Sequence, residues 1–120
     1  MSYIEGFVLP VKRADRERYL AVARKFYDII RPLGAIRHVE CWGDDVPAGQ
    51  QTDFRRAVAL QDDEVVVFSW IEWPSREVRE AANRKVMEDP AMQGMDMPFD
   101  GKRIVVGGFL PLFDSQAHPA

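Results

Sequence analysis

A chain of 120 residues is the size of one domain, long enough to bury a core and too short for two. With 47% hydrophobic and 29% charged residues it has the balance of a folded globular protein, without the long charge blocks that keep chains disordered. The formal charge is −3 and the basic residues are scattered, which excludes an electrostatic footprint for nucleic acid or anionic lipid and leaves small neutral or cationic partners open.

Taken in chain order, YIEGFVLP at residues 3 to 10 alternates and ends in proline, which predicts a first strand. The apolar run of this N-terminus is broken by Glu5 and Gly6, unlike a signal peptide, and no later run approaches membrane length. Asp15 is placed to cap a long helix carrying Tyr19, Ala23, Phe26, Ile30 and Leu33 at helical spacing, with Pro32 and Gly34 ending it. AIRHVECWG (35 to 43) predicts a second strand and EVVVFSWIEW (64 to 73) a third, rich in branched and aromatic residues. Ser75 is a good N-cap for a second helix with Val78, Ala82 and Val86 on its buried side, stopped at Asp89-Pro90. A methionine-rich loop and a PFDG turn at 98 to 101 lead to a last strand, RIVVGGFLPLF. One domain over 1–113 with a flexible tail at 114–120 is expected.

Right-handed crossovers convert this β-α-β-β-α-β order into an α+β, ferredoxin-like fold: a four-stranded antiparallel sheet, spatial order 4-1-3-2, with both helices on one face. The third strand is apolar on both sides, with Val65, Val67 and Ile71 on one and Val66, Phe68 and Trp70 on the other. A second copy of the sheet is the simplest cover for the open side, so a homodimer is expected.

The words VECWGDDVP, DFRRAV, VVFSWIEWPS, VREAANRKVMEDP and MPFDGKR, followed by GGF, resemble the YbaA-like bacterial proteins, a family of unknown function, over nearly the whole chain. The resemblance implies the dimeric α/β barrel version of the ferredoxin-like fold. It implies no activity and carries over no catalytic residues.

The stretch HVECWGDDVP concentrates reactive residue types. Strand alternation puts His38, Glu40 and Trp42 on one side, and Val39 and Cys41 on the other. Val39 and Cys41 are expected beneath the helices, with Cys41 a small buried hydrophobe. Cys41 is the one cysteine, which excludes an internal disulfide and a CxxC motif and fits a reducing, cytoplasmic compartment. Asp44 and Asp45 are expected to bond turn backbone. No metal site and no cofactor is expected, since His38 and carboxylates alone supply few ligands and the only other histidine is His118 in the tail.

On the face away from the helices, Glu40 and Glu72 with His38 are then the candidate acid/base residues, and Phe7, Trp42 and Trp70 the apolar wall beside them. Arg55 of the long 44–63 loop and Lys102 and Arg103 after the methionine-rich loop are candidate ligand-binding cations. Two functions stand side by side: a binder or enzyme acting on a small organic molecule through carboxylate acid/base chemistry, and a noncatalytic homodimer whose glutamates pair with arginines across the twofold. RNA binding is set aside because the glycine-aromatic RNA-recognition pattern is missing and glutamates share the aromatic face.

Overall fold

The molecule is built around two ten-residue strands, β1 (Tyr3–Lys12) and β3 (Glu64–Trp73), paired antiparallel along their whole length from Tyr3 opposite Trp73 to Lys12 opposite Glu64. This computed structural model describes residues 2–116; residues 117–120 of the expected tail, with His118, lie outside the described residues. Strand β2 (Arg37–Trp42) pairs with the free edge of β3, and β4 (Val105–Phe109) with the free edge of β1. All pairings are antiparallel, and the order β2-β3-β1-β4 is the expected 4-1-3-2 counted from the opposite edge. The fold is ferredoxin-like.

Helices α1 (Arg16–Ile30) and α3 (Arg76–Glu88) cover one face of the sheet. Their buried positions follow the predicted periodicity: Tyr19, Ala23 and Ile30 on α1, Ala82 and Val86 on α3. Ser75 caps α3 as expected, accepting from the Val78 N–H at 3.2 Å. Asp15 does not cap α1 with its side chain; the chain enters through a 3-10 turn, and Asp15 instead lies 3.7 Å from Arg18. A second 3-10 turn at Arg31–Leu33 closes α1 at Gly34, whose φ of 115° and clash distance of 2.6 Å from a would-be Cβ to Val78 Cγ1 both require glycine. Two single-turn helices interrupt the loops, α2 (Phe54–Ala57) and α4 (Pro90–Gln93). β4 is shorter than predicted, because Gly101–Arg103 forms a 3-10 turn and the β1 partner residues are only Ile4–Val8.

The register decides which side chains meet the helices. Tyr3, Leu9, Val11, Val67, Ile71 and Trp73 form the core beneath α1 and α3. His38 lies opposite Ile71, Glu40 opposite Ser69 and Trp42 opposite Val67, so these three face the helices and not the open side. Cys41 lies opposite Phe68 and is exposed, which corrects its expected burial. The open side carries Phe68, Val105 and Phe109, all exposed, with Trp70 and Glu72.

The long loop before β3 folds back on its own chain: Phe54 packs edge-on against Phe68, with ring centroids 6.2 Å apart. Asp53 holds it, accepting from the Gly49 and Arg56 N–H groups at 2.9 and 2.7 Å, the capping work expected of Asp44 and Asp45. A two-pronged ion pair ties the loop to the turn before β4. Arg103 donates from both Nη atoms to the two Glu64 oxygens at 2.7 Å, and also reaches the Ala59 carbonyl at 3.1 Å and Asp100 at 3.0 Å. Arg103 is therefore committed to holding two loops together, not free for a ligand as the sequence reading expects.

These hydrogen bonds from Arg103 hold the Glu64 carboxyl below its ordinary range. A depressed folded-state value stabilises the fold above about pH 4, the unfolded value, and that contribution disappears as pH falls through the folded one. Glu64→Gln should lower the urea midpoint by roughly 1 M at pH 7. The difference between variant and parent should shrink in melts at pH 3; an undiminished difference would show that the ion pair is not its source.

Candidate functional site

Between the sheet and α1 lies a cavity of about 150 Å³. Its floor is Phe7 and Leu9 of β1 with Ser69 and Ile71 of β3, and its roof is Tyr19, Ala23 and Phe26 of α1. Met92 of α4 and the Met97, Phe99 and Ile104 side chains of the following segment close one end. Methionine suits such a wall because its unbranched thioether adapts to what it meets.

One polar group of residues interrupts this apolar lining. Glu40 and His38, two apart on β2, project from the same side of the strand, and His38 Nε2 meets Glu40 Oε2 at 2.5 Å. The Tyr19 hydroxyl donates to Glu40 Oε1 at 2.6 Å, and Ser69, directly across the ladder, donates to Oε2 at 2.9 Å. The His38 side chain is only 7% exposed and that of Glu40 22%. The imidazole stands against Phe26 and Tyr27, with centroids at 6.1 Å from each. Both residues also line a shallower groove on the β2 edge, beside Arg24, Tyr27 and Asp28, so the pair forms the wall between an inner cavity and an outer surface.

Burial, followed by the Glu40 charge and the hydrogen bond to it, drives the Tyr19 hydroxyl far above the ordinary tyrosine range. Tyr19 is therefore a permanent donor. An ionised carboxylate only accepts, so a neutral imidazole meeting Glu40 at Nε2 carries its proton there and its lone pair on Nδ1. The array can thus hold a base of fixed tautomer at the wall of an apolar cavity.

The sequence reading puts Glu40 and Glu72 on one face; the register separates them. Glu72 and Trp70 point away from the helices, where the Arg37 guanidinium lies 5.0 Å from the Trp70 ring centroid. Trp42 is on the helix side but stands under Arg16, at 5.8 Å, and packs beside the Leu9 and Val67 cluster. Arg55 donates to the Val46 carbonyl at 2.8 Å, within its own loop, and Lys102 is exposed in the turn whose backbone Asp100 caps. Of the expected set, only His38 and Glu40 come together. Tyr19 and Ser69 were missed, although each carried a signal. Ser69 is the one hydroxyl in the apolar run VVVFSWI, and Tyr19 is the one on the buried stripe of α1.

A second polar cluster lies on the same face toward β1, where Glu5 shares a row of the sheet with Ile71 and His38. Buried Glu5 accepts from Trp73 Nε1 at 3.2 Å and Asn83 Nδ2 at 3.3 Å, with Arg79 at 3.8 Å. Arg79 in turn donates to the Tyr3 hydroxyl at 3.2 Å and lies over its ring. The Tyr3 of this cluster also lines an open groove with Pro74, Ser75 and Phe109, and the cluster joins α3 to the sheet.

Comparison with known proteins agrees with the architecture. The chain is 51% identical over 116 residues to the uncharacterized protein YbaA of Escherichia coli K12, covering 95% of this chain and 99% of that one, and equally to YbaA of Shigella flexneri. A crystal structure of a dimeric ferredoxin-like protein from an uncultured marine organism superposes with a TM-score of 0.60 over 95% of this chain and 99% of that one, at 10% identity, a likeness of fold. The model of the family described as "Protein of unknown function (DUF1428)" matches residues 2–101, and the chain belongs to that family.

Proposed function

We propose that the chain binds a small organic molecule in the cavity between the sheet and α1, and that the His38–Glu40 pair moves a proton to or from it. The observation that carries this reading is a carboxylate hydrogen-bonded to a tyrosine, a serine and a histidine at the wall of an otherwise apolar cavity. A space of this order holds one six-membered ring, and an apolar pocket with a few convergent polar groups is the usual form of a small-molecule site. In this reading Tyr19 and Ser69 position Glu40, Glu40 fixes the imidazole, and the lone pair of His38 is the base. Ligand proton transfer then needs no rearrangement of the carboxylate.

The functional unit in this reading is a cytoplasmic homodimer of the α/β barrel kind, joined through the open face. Exposed Phe68, Val105 and Phe109 on that face support it, as does the dimeric state of the marine relative. Trp70, Glu72 and Arg37 then belong to the assembly surface. No helix among the described residues is long and apolar enough to cross a membrane.

The binding reading is tested with 13C-methyl-labelled methionine and a panel of small neutral and cationic organic molecules. Met92 and Met97 line the cavity, whereas Met87 is exposed on α3. A ligand should shift the first two methyl signals and leave Met87 in place, and Ala23→Leu, which fills the cavity, should cancel the shift. A panel that moves none of them would end the reading.

Tyr19→Phe removes a hydrogen bond to a charged acceptor and should cost about 2 kcal/mol at neutral pH. Because the folded-state value of Tyr19 is raised, its contribution is complete below about pH 10, the unfolded value, and is lost as pH rises beyond it. Parent stability should therefore fall more steeply above pH 10 than that of Tyr19→Phe. Parallel curves in alkaline urea melts would contradict the assignment.

Light scattering should give a dimer at micromolar concentration, with about 2,000 Å² or more in total buried, and Phe68→Lys should dissociate it. Thiol labelling of Cys41 should be slow in the dimer and fast in that variant; fast labelling of a parent that scatters as a dimer would move the interface elsewhere.

A further inference from the structure

With His38 in the neutral form that pairs with Glu40, the described lining of the cavity holds an imbalance of charge. Among the described residues that line it, Glu40 is the one carboxylate and none is a lysine or arginine. The three groups bonded to Glu40 are a tyrosine, a serine and a histidine, of which the first two bring no positive charge. The same cavity is lined by four aromatic side chains, Phe7, Tyr19, Phe26 and Phe99. The outer groove that shares His38 and Glu40 adds one charge of each sign, Arg24 and Asp28, and so does not reverse the balance.

We infer that the molecule taken up by this cavity is a small organic cation, of the weakly hydrated kind represented by an alkylated ammonium group. The inference rests on the small-molecule reading above and names its ligand class; the fully alkylated nitrogen has no proton to exchange, so the group served by His38 is another one on the same molecule. Three physical arguments converge on it. A carboxylate in a medium of low dielectric attracts a cation more strongly than it does in water and repels an anion as strongly. Aromatic rings attract cations through their quadrupole, most effectively where water is excluded. Finally, an ammonium whose hydrogens are replaced by methyl groups loses little hydration on entering an apolar space, whereas a primary ammonium would need donors' partners that Glu40, already accepting from three groups, is poorly placed to supply. A neutral molecule of equal bulk gains the apolar contacts alone.

The test uses the full chain and isothermal titration calorimetry with three probes of similar shape: choline, its carbon isostere 3,3-dimethylbutan-1-ol, and the anion 3,3-dimethylbutanoate. Choline should bind about tenfold or more tighter than the neutral isostere, and the anion should bind weakest. Glu40→Gln should remove most of the preference for choline while leaving the neutral isostere bound. Phe26→Leu, which keeps apolar bulk and removes a ring, should weaken choline several-fold and the isostere little, and it serves where Glu40→Gln does not fold. A neutral isostere that binds as tightly as choline overturns the cation assignment and leaves the small-molecule reading standing. So does a choline affinity unchanged in both variants. Failure of all three probes, with Met92 and Met97 signals unmoved by the wider panel, overturns both.

Discussion

A carboxylate turned toward an apolar interior must be given donors, and much of this molecule's arrangement follows from that requirement at Glu40. Each of its partners comes from a different place: Tyr19 from α1, Ser69 from the neighbouring strand β3, His38 from one pleat along β2. Satisfying one side chain thus joins a helix, a central strand and an edge strand. An unpaired carboxylate there would be strongly destabilising, so the distance from α1 to β2 is set by hydrogen-bond length as well as by packing. The space left beside the array is the cavity.

The architecture was readable because its signals are redundant. The branched, aromatic run of β3, the helical spacing on α1 and the Ser75 cap each point to one element, and crossover handedness leaves a single sheet order for the result. The site was less readable for a specific reason. In RHVECW the apolar parity is Val39 and Cys41, and hydrophobic patterning assigns those to the core, whereas the real core side is His38, Glu40 and Trp42. Period-two logic has no remedy when the inward residues are polar, since a choice of the wrong parity moves every side chain across the sheet. What outweighs patterning is the pairing of Glu40 with Ser69 and Tyr19, contacts between residues 29 and 21 positions apart. Such partners cannot be matched from local periodicity.

Two of the basic residues singled out from the sequence, Arg55 and Arg103, serve structure. Arg103 meets the buried Glu64, and Arg55 and Arg56 close the loop ahead of β3 on its own carbonyl groups. Arginine suits these roles because its fork satisfies several acceptors at once. Among the described residues none that lines the cavity is a lysine or arginine, while Arg24 stands in the outer groove that Glu40 also lines.

Strand β2 has six residues and two unlike faces. Its even-numbered members face the helices, His38 and Glu40 among them lining the cavity, and its odd-numbered members lie on the exposed side of the sheet with Phe68 and Trp70. Substitutions can therefore be selected on one face independently of the other, but length changes cannot. Deleting or inserting a single residue here exchanges the faces, burying Cys41 and expelling Glu40 in one event. In the family's drift, β2 should tolerate replacement and resist any change of length, although it lies at the edge of the sheet, where such changes are ordinarily absorbed.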